Sequence, residues 1–300
     1  MNYLKLIHFK NLALLALIQI IIRYGFLKQQ NVWQSLSDFQ FGLLVFATIC
    51  IAGGYYIINT LFDDSFDLYE NNIIESKAYL MYALFSITGV SIGMYLSNIV
   101  QKPGFIALFI FMVALGYFQA TTLKDIIIIK LFVKPILSSF SLLIIAFFDL
   151  FPATYDGNRE VMTLLFSIVK DYAVFVFIIQ FIREIITETS QSIELKDIDF
   201  QSITNKIGSK KTNYLLAALL LLPTIYLVYY SLIYLLDSNL FISILYVSIA
   251  VIAPLGFCAI KVVSASNKKD YTQINSMLKY ILVLGVFSIA IITYNILNNA

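Results

Sequence analysis

The chain has 300 residues, of which 60% are hydrophobic and 13% are charged, and its mean hydropathy is +0.85. A soluble domain typically carries about 25% charged residues, so this composition excludes a soluble globular fold and predicts a polytopic membrane protein. The formal net charge of +2 is too small to indicate a nucleic-acid-binding protein. Cys50 and Cys258 lie inside apolar runs, which favours packing residues over a disulfide or a metal site.

Apolar runs of about 17 to 25 residues can cross the hydrocarbon core of a bilayer as helices. We therefore predict an all-α fold, with residues 1–300 forming one transmembrane domain of nine helices. The predicted helices cover residues 11–27, 40–62, 77–100, 104–121, 126–150, 161–184, 213–236, 239–261 and 275–297. Longer polar connections are expected at 63–76, 185–212 and 262–274.

The basic residues predict the orientation, because cytoplasmic segments carry an excess of lysine and arginine. With the N-terminus in the cytoplasm, the outer segments hold only Lys28, Lys102 and Arg159. The inner segments hold Lys5, Lys10, Lys77, Lys124, Arg183, Lys196, Lys206, Lys210, Lys211, Lys261, Lys268 and Lys269. We expect a plasma-membrane protein with a cytoplasmic N-terminus, an outer C-terminus and its long polar loops on the cytoplasmic side.

Residues 59–67, NTLFDDSFD, follow the apolar run of the second helix. Asn59, Asp63 and Asp67 are spaced i, i+4 and i+8, so on a helix they lie along one face. Two carboxylates and an amide oxygen suit a hard divalent cation such as Mg²⁺. The alternative is a helix end that faces water, although carboxylates there are unfavourable against the helix dipole.

A few charged residues lie within or beside the apolar runs. Arg23 stands toward the outer end of the first helix, where its side chain could reach the membrane interface. Lys170 and Asp171 lie in the middle of the sixth helix, and we expect each to have a partner on another helix. Lys124 follows the fourth helix and is either a phosphate-binding charge or an anchor at the membrane surface.

NTLFDDSFD resembles the first aspartate-rich motif of the UbiA superfamily of intramembrane prenyltransferases, N-D/Q-x-x-D-x-x-x-D, through Asn59, Asp63 and Asp67. ITNKIGSKKT at 203–212 is similar to a segment of the branch that includes digeranylgeranylglyceryl phosphate synthases and menaquinone-type enzymes. Lys124 falls where that family places a lysine near the diphosphate. The resemblance implies a central cavity that opens to the cytoplasm.

The second acidic motif of the family departs from its pattern in this chain. REIITETSQSIELKD matches at Arg183, Glu184 and Glu188, but an ungapped alignment puts the two later aspartates of the family on Gln191 and Leu195. Glu184 and Glu188, spaced i and i+4, could form a ligand pair. Replacement ligands could also come from Glu194, Asp197 and Asp199, or the segment could be a solvated helix without a catalytic role.

The resemblance implies Mg²⁺-dependent transfer of a prenyl group from a prenyl diphosphate to a lipid or quinone-precursor acceptor in the membrane. The implied cation ligands are Asn59, Asp63, Asp67, Glu184 and Glu188, and Lys124 and Arg183 would bind the diphosphate. Two alternatives stay open: a catalytically inactive protein of this fold with a binding or assembly role, and a transporter with a pathway near Lys170 and Asp171. The D-G-x-x-A-R core of CDP-alcohol phosphatidyltransferases is absent from the sequence, which excludes that class.

Overall fold

The computed structural model describes residues 4, 6–62, 74–123, 126–195 and 203–299. Within these ranges the chain is helical with no strand, and nine helices are long and apolar enough to cross a membrane. They are α1 (Phe9–Gln30), α2 (Asp38–Leu61), α3 (Glu75–Ile99), α4 (Pro103–Thr121), α5 (Ile127–Ile145, extended by Ala146–Leu150), α6 (Arg159–Leu195), α7 (Ser209–Leu235), α8 (Phe241–Val263) and α9 (Lys268–Asn299). The prediction of an all-α membrane protein with nine spans is confirmed.

The predicted and observed helix ends differ most at α6. The sequence predicts an end at residue 184, and the helix continues to Leu195. Its last turns are polar, so hydropathy gave no indication of a helix there. A short helix, Ile203–Ile207, packs against these turns. Thr204 donates from its hydroxyl to Thr189 Oγ1 at 3.0 Å, and Ser192 donates to Asn205 Oδ1 at 2.6 Å. Tertiary packing therefore extends a helix beyond its apolar segment.

The start of α2 is set by local chemistry that the sequence contains. Ser37 and Gln40 form a reciprocal capping box: Ser37 Oγ accepts from the Gln40 backbone N–H at 3.3 Å, and Gln40 Oε1 accepts from the Ser37 N–H at 2.8 Å. This pair satisfies two backbone donors that a helix start otherwise leaves without partners.

The chain divides into two compact units, and the prediction of a single domain over 1–300 stays a prediction. Unit 1 comprises Met1–Arg23 and Asn31–Asp171, and unit 2 comprises Tyr24–Gln30 and Tyr172–Ala300. In unit 1, α2 and α3 pack closely at Gly89, where an added Cβ would lie 2.7 Å from Ile51 Cγ1 and 3.1 Å from the Ala47 carbonyl oxygen. Small residues permit such close approach between membrane helices.

In unit 2, polar side chains connect α6, α7 and α9. The hydroxyls of Tyr172 and Ser288 are 2.9 Å apart and join α6 to α9. Tyr271 on α9 donates to Asn213 Oδ1 at 2.6 Å, and Asn213 on α7 donates to the Ala265 carbonyl at 2.8 Å. The two bonds between side chains fix the register of α6 with α9 and of α7 with α9, and the bond to Ala265 holds the connection before α9 against α7.

A buried ion pair joins three parts of unit 1. Arg23 is 1% exposed and Asp149 is fully buried. Arg23 Nη1 donates to Asp149 Oδ2 at 2.5 Å, and Nη2 donates to the Leu36 carbonyl at 2.6 Å. Asp149 Oδ1 accepts the Leu36 N–H at 3.1 Å, so the pair also holds the connection between α1 and α2. Arg23 is therefore buried inside the protein and does not extend to a membrane interface.

Both members of this pair lie in π-helical turns, at Ile21–Phe26 in α1 and Ala146–Leu150 in α5. A π-helical turn inserts one extra residue per turn and so changes the direction in which the following side chains point. The Arg23 guanidinium also lies 4.4 Å from the centre of the Phe41 ring, which adds a cation–π contact on α2.

Within the part of the chain that the structure describes, Lys170 and Asp171 do not have the partners on other helices that their sequence position suggested. Lys170 Nζ lies 3.8 Å from Asp171 Oδ1, and the two side chains are 55% and 60% exposed. Adjacent residues on a helix point about 100° apart, yet the length of the lysine side chain still allows the two charges to meet.

We predict that Asp149→Ala lowers the free energy of unfolding by about 3–5 kcal/mol, because it removes the buried counter-ion of Arg23 and, among the described residues, leaves the guanidinium only Asp38, a 59% exposed carboxylate 3.6 Å from Nη2. The double variant Arg23→Met with Asp149→Leu removes both charges and should be less destabilised than Asp149→Ala alone. Chemical denaturation of the purified protein in detergent measures both effects. Equal losses in the single and the double variant would contradict this account.

Candidate functional site

The structure describes some of the predicted site residues and not others. Asn59 lies in the last full turn of α2 in unit 1, whereas Arg183, Glu184 and Glu188 lie on α6 in unit 2. The remaining predicted ligands, Asp63, Asp67 and Lys124, fall outside the described residues, as do the alternatives Asp197 and Asp199.

Asn59 contacts a buried glutamine that the sequence reasoning did not select. Gln119 on α4 is 3% exposed, and its Nε2 donates to Asn59 Oδ1 at 3.2 Å. One turn earlier on each helix, Gly116 faces the Tyr55 ring, and a Cβ added to the glycine would lie 3.0 Å from Tyr55 Cδ2. The missing side chain at Gly116 lets α4 approach α2 closely enough for the two amides to meet.

The side-chain carbonyl oxygen of Gln119, Oε1, is buried and has no hydrogen-bond partner among the described residues. A buried carbonyl without a partner costs about 1–3 kcal/mol, so such an oxygen usually meets a water, a cation or a ligand. The side-chain amide oxygens of Asn59 and Gln119 are hard, neutral ligands of the kind that Mg²⁺ binds directly or through a coordinated water. These two side chains therefore fit the chemistry of a magnesium site.

Arg183 lies in a hydrogen-bonded network that joins α6 to α9 in unit 2. Its Nε donates to Asn275 Oδ1 at 2.8 Å, and its Nη1 donates to Gln180 Oε1 at 2.8 Å. Asn275 in turn donates from Nδ2 to Thr187 Oγ1 at 2.9 Å. The network fixes the plane of the guanidinium group, which is the part of arginine that recognises phosphate oxygens in pairs.

Glu184 and Glu188 lie one turn apart on α6, as their spacing predicted. Glu184 is half-buried, whereas Glu188 is only 4% exposed. The described residues contain no group of three or more histidine, cysteine, aspartate or glutamate side chains arranged to hold a metal ion. The role of Glu184 and Glu188 as cation ligands stays a prediction.

The backbone conformation within the segment 203–212 requires a glycine at position 208. Gly208 separates the short helix from α7 and has φ 85° and ψ 148°, a conformation that essentially only glycine adopts. Its N–H donates to the Thr204 carbonyl at 2.8 Å, and its own carbonyl accepts the Thr212 N–H at 3.0 Å. Lys210 and Lys211 follow in the first turn of α7 and are exposed.

One feature of the sequence marks the residues that contact the predicted site residues, although it does not identify the pairs. Gln119, Gln180 and Asn275 are carboxamides within or at the edge of predicted apolar helices, where a polar side chain needs a partner. The sequence does not show which helix supplies that partner, so the pairings emerge only from the fold.

Comparison with known proteins gives a likeness in fold. No family model matches the chain, and no curated protein matches its sequence. The solved structure of a digeranylgeranylglyceryl phosphate synthase, a membrane prenyltransferase, superposes with a TM-score of 0.62 at 19% sequence identity. The match covers 97% of this chain and 98% of that chain. The chain therefore has the fold of that synthase over essentially its whole length.

We predict that Gly208→Ala lowers the free energy of unfolding by about 1–3 kcal/mol, because alanine is strained at this φ and ψ. The matched control is Gly256→Ala in α8, where an added Cβ meets no atom within 4 Å. The control should be neutral or stabilising by up to about 1 kcal/mol, since alanine is the better helix former. Thermal unfolding of both variants in detergent tests the difference, and a Gly208→Ala protein as stable as the wild type would contradict it.

Proposed function

We propose that this protein is a prenyltransferase of the UbiA superfamily. It would transfer a prenyl group from a prenyl diphosphate to a lipid or quinone-precursor acceptor in the membrane and release pyrophosphate. The observation that carries the proposal is the fold shared with a digeranylgeranylglyceryl phosphate synthase along 97% of the chain. The position of NTLFDDSFD supports it, because the motif starts in the last full turn of α2 with Asn59 against Gln119.

The proposal assigns cation binding to residues of the two acidic motifs. Asn59, Asp63 and Asp67 would bind Mg²⁺, and Glu184 and Glu188 would contribute to a second cation site. Bound Mg²⁺ would neutralise the diphosphate and so make pyrophosphate a better leaving group. Since a prenyl chain is apolar, the proposal includes a central cavity that opens to the cytoplasm for the headgroup and to the membrane for the chain.

Arg183 and Lys124 would place positive charge on the departing diphosphate. The guanidinium of Arg183 is oriented by Asn275 and Gln180, so it would bind phosphate oxygens without first losing side-chain freedom. The carbon–oxygen bond of the allylic diphosphate breaks, and its electron pair leaves with pyrophosphate. A hydroxyl or an aromatic carbon of the acceptor then forms the new bond to the allylic carbon and loses its proton.

The distribution of basic residues supports an orientation for this chemistry. With the N-terminus in the cytoplasm, the motif after α2 and the segment after α6 both face the compartment that supplies water-soluble diphosphates. We accordingly propose the plasma membrane as its location, with the C-terminus outside.

One observation favours a second candidate, an inactive protein of the same fold that binds a ligand or assembles with a partner. Gln191 stands on α6 where the family places a motif aspartate, and a carboxamide carries no negative charge to hold a second Mg²⁺. Only the enzyme releases pyrophosphate, whereas the inactive protein would bind a prenyl diphosphate without releasing it or would only assemble with a partner.

We predict that the purified protein binds a long-chain prenyl diphosphate in the presence of Mg²⁺ and loses most of this affinity when Mg²⁺ is chelated. Asp67→Ala should weaken Mg²⁺-dependent binding at least about tenfold, because it removes a proposed cation ligand. Asp64→Ala is the matched control, since Asp64 is a neighbouring carboxylate outside the i, i+4, i+8 series. Equilibrium binding of a radiolabelled prenyl diphosphate measures all three proteins.

Release of pyrophosphate with a panel of lipid and aromatic acceptors then separates the two candidates. Release by the wild type supports the transferase. Mg²⁺-dependent binding without release from any acceptor supports the inactive protein as a ligand binder. No binding by a well-folded wild type would refute the transferase and leave only the inactive protein that assembles with a partner.

A further inference from the structure

We infer that one face of α6 is an interface between two copies of this chain in the membrane. This surface, the α6 face, consists of six polar residues of unit 1: Arg159, Glu160, Thr163, Ser167, Lys170 and Asp171. None of these residues belongs to the proposed prenyl-transfer site, so the inference is independent of the proposed function.

The α6 face is turned away from the side of the helix that packs within the protein. On that packed side, Met162, Leu165 and Val169 are buried. On the α6 face, by contrast, Lys170 and Asp171 are both more than half exposed. Consecutive residues of a helix point about 100° apart, which places the polar and the buried residues on opposite sides. The helix therefore presents a polar surface where a membrane helix usually presents an apolar one.

The second charged pair of the α6 face lies deep in the membrane. Lys170 follows Arg159, the first residue of α6, by 11 positions, or roughly 16 Å at 1.5 Å per residue. The hydrocarbon core is about 30 Å thick, so this pair lies near its middle. The contact of 3.8 Å between Lys170 and Asp171 reduces the cost of exposing two charges to lipid but does not remove it. A protein surface that covers the pair would remove this cost.

The charges of the α6 face form two flanks of opposite sign. Each charged pair consists of a basic residue followed by an acidic one, and the second pair repeats the first after 11 residues. Eleven residues make about three helical turns, so the two pairs have nearly the same direction. The basic members therefore lie on one flank and the acidic members on the other, with Thr163 and Ser167 between them.

This arrangement is complementary to itself, which identifies a second copy as the occupant. Two copies inserted in the same orientation, and related by a two-fold axis along the membrane normal, place equal depths opposite each other. The axis also places the basic flank of each copy against the acidic flank of the other. Lys170 then meets Asp171 of the second copy, and the reverse contact forms on the other side of the axis.

The centre of the α6 face suits close packing of two helices. Thr163 and Ser167 are small and carry hydroxyls, and side chains of this kind let membrane helices approach closely and form hydrogen bonds across the contact. An open groove of about 520 Å³ is lined by the first turns of the α6 face together with Leu164. The groove gives room for side chains of the second copy.

Cross-linking of the full-length protein in membranes tests the contact. The probe is a Ser167→Cys chain treated with a mild oxidant, and the control is Ile87→Cys in the middle of α3, where the isoleucine is 64% exposed. We expect at least about five times more disulfide-linked dimer from Ser167→Cys, because a disulfide forms only where two Cα atoms come within about 7 Å. The wild type, in which Cys50 and Cys258 are buried, gives the background. Equal yields from the two variants would overturn the inference.

A charge exchange between two copies tests the flanks. In chains that also carry Ser167→Cys, Lys170→Asp alone and Asp171→Lys alone should each lower the dimer yield at least about tenfold, because like charges then face each other. Co-expression of these two chains with different tags should restore the mixed dimer to the yield of the Ser167→Cys chain, since opposite charges face each other again.

The mixed dimer distinguishes an interface from a local role of the ion pair. Each chain in the mixture still has two like charges within its own helix, so a pair that only stabilises α6 could not be restored by a second copy. Failure of the mixture to restore the dimer would overturn the inference, as would charge variants that dimerise like the Ser167→Cys chain. If the charge variants fail to fold, the comparison of Ser167→Cys with Ile87→Cys decides the question, because it changes no charge.

Discussion

Hydrocarbon offers no hydrogen-bond partners, and this single constraint governs the structure of the whole chain. Every peptide group within the membrane must be satisfied inside its own segment, so the described residues form helices and no strands. The same constraint applies to side chains. Each polar group that the chain places between helices needs a partner within the protein, and these partners connect the helices to one another.

Among the described residues, buried polar contacts join particular pairs of helices. Arg23 and Asp149 join α1 to α5, the Gln19 amide joins α1 to α2 and α5, and the Arg183 network joins α6 to α9. A buried ion pair contributes little net stability compared with an apolar replacement, because both charges lose their hydration. A shift of register at this pair would leave a buried charge without its partner, which costs free energy. Apolar side chains supply most of the packing between helices, and the buried polar contacts favour one register of the helices.

Because apolar packing tolerates many sequences and the polar contacts involve particular positions, a chain can share a fold with a digeranylgeranylglyceryl phosphate synthase at only 19% identity. Many apolar sequences cover the same helix surfaces, because lipid-facing positions require only hydrophobicity and length. Function depends instead on a small number of polar side chains at fixed places, and a shared fold does not specify them. The proposed activity must therefore be judged on residues such as Asn59, Gln119 and Arg183 and on what they bind.

The sequence by itself determined the number of spans and the all-α class, because hydropathy and segment length are local properties. The Ser37–Gln40 capping box is local as well, yet hydropathy alone predicted a start at residue 40 and the structure places it at Asp38. The sequence also located Asn59, Arg183, Glu184 and Glu188 as candidates through their spacing and their resemblance to a family. The partners of these residues were decided only by tertiary structure. Gln119 meets Asn59 from 60 positions away, and Asn275 meets Arg183 from 92 positions away. Such contacts depend on which helices are neighbours and on small residues such as Gly116 that let them approach. Tertiary packing likewise continued α6 to Leu195 and buried Arg23 beside Asp149, because contacts with another segment stabilise a polar helix end and a buried charge needs a counter-ion.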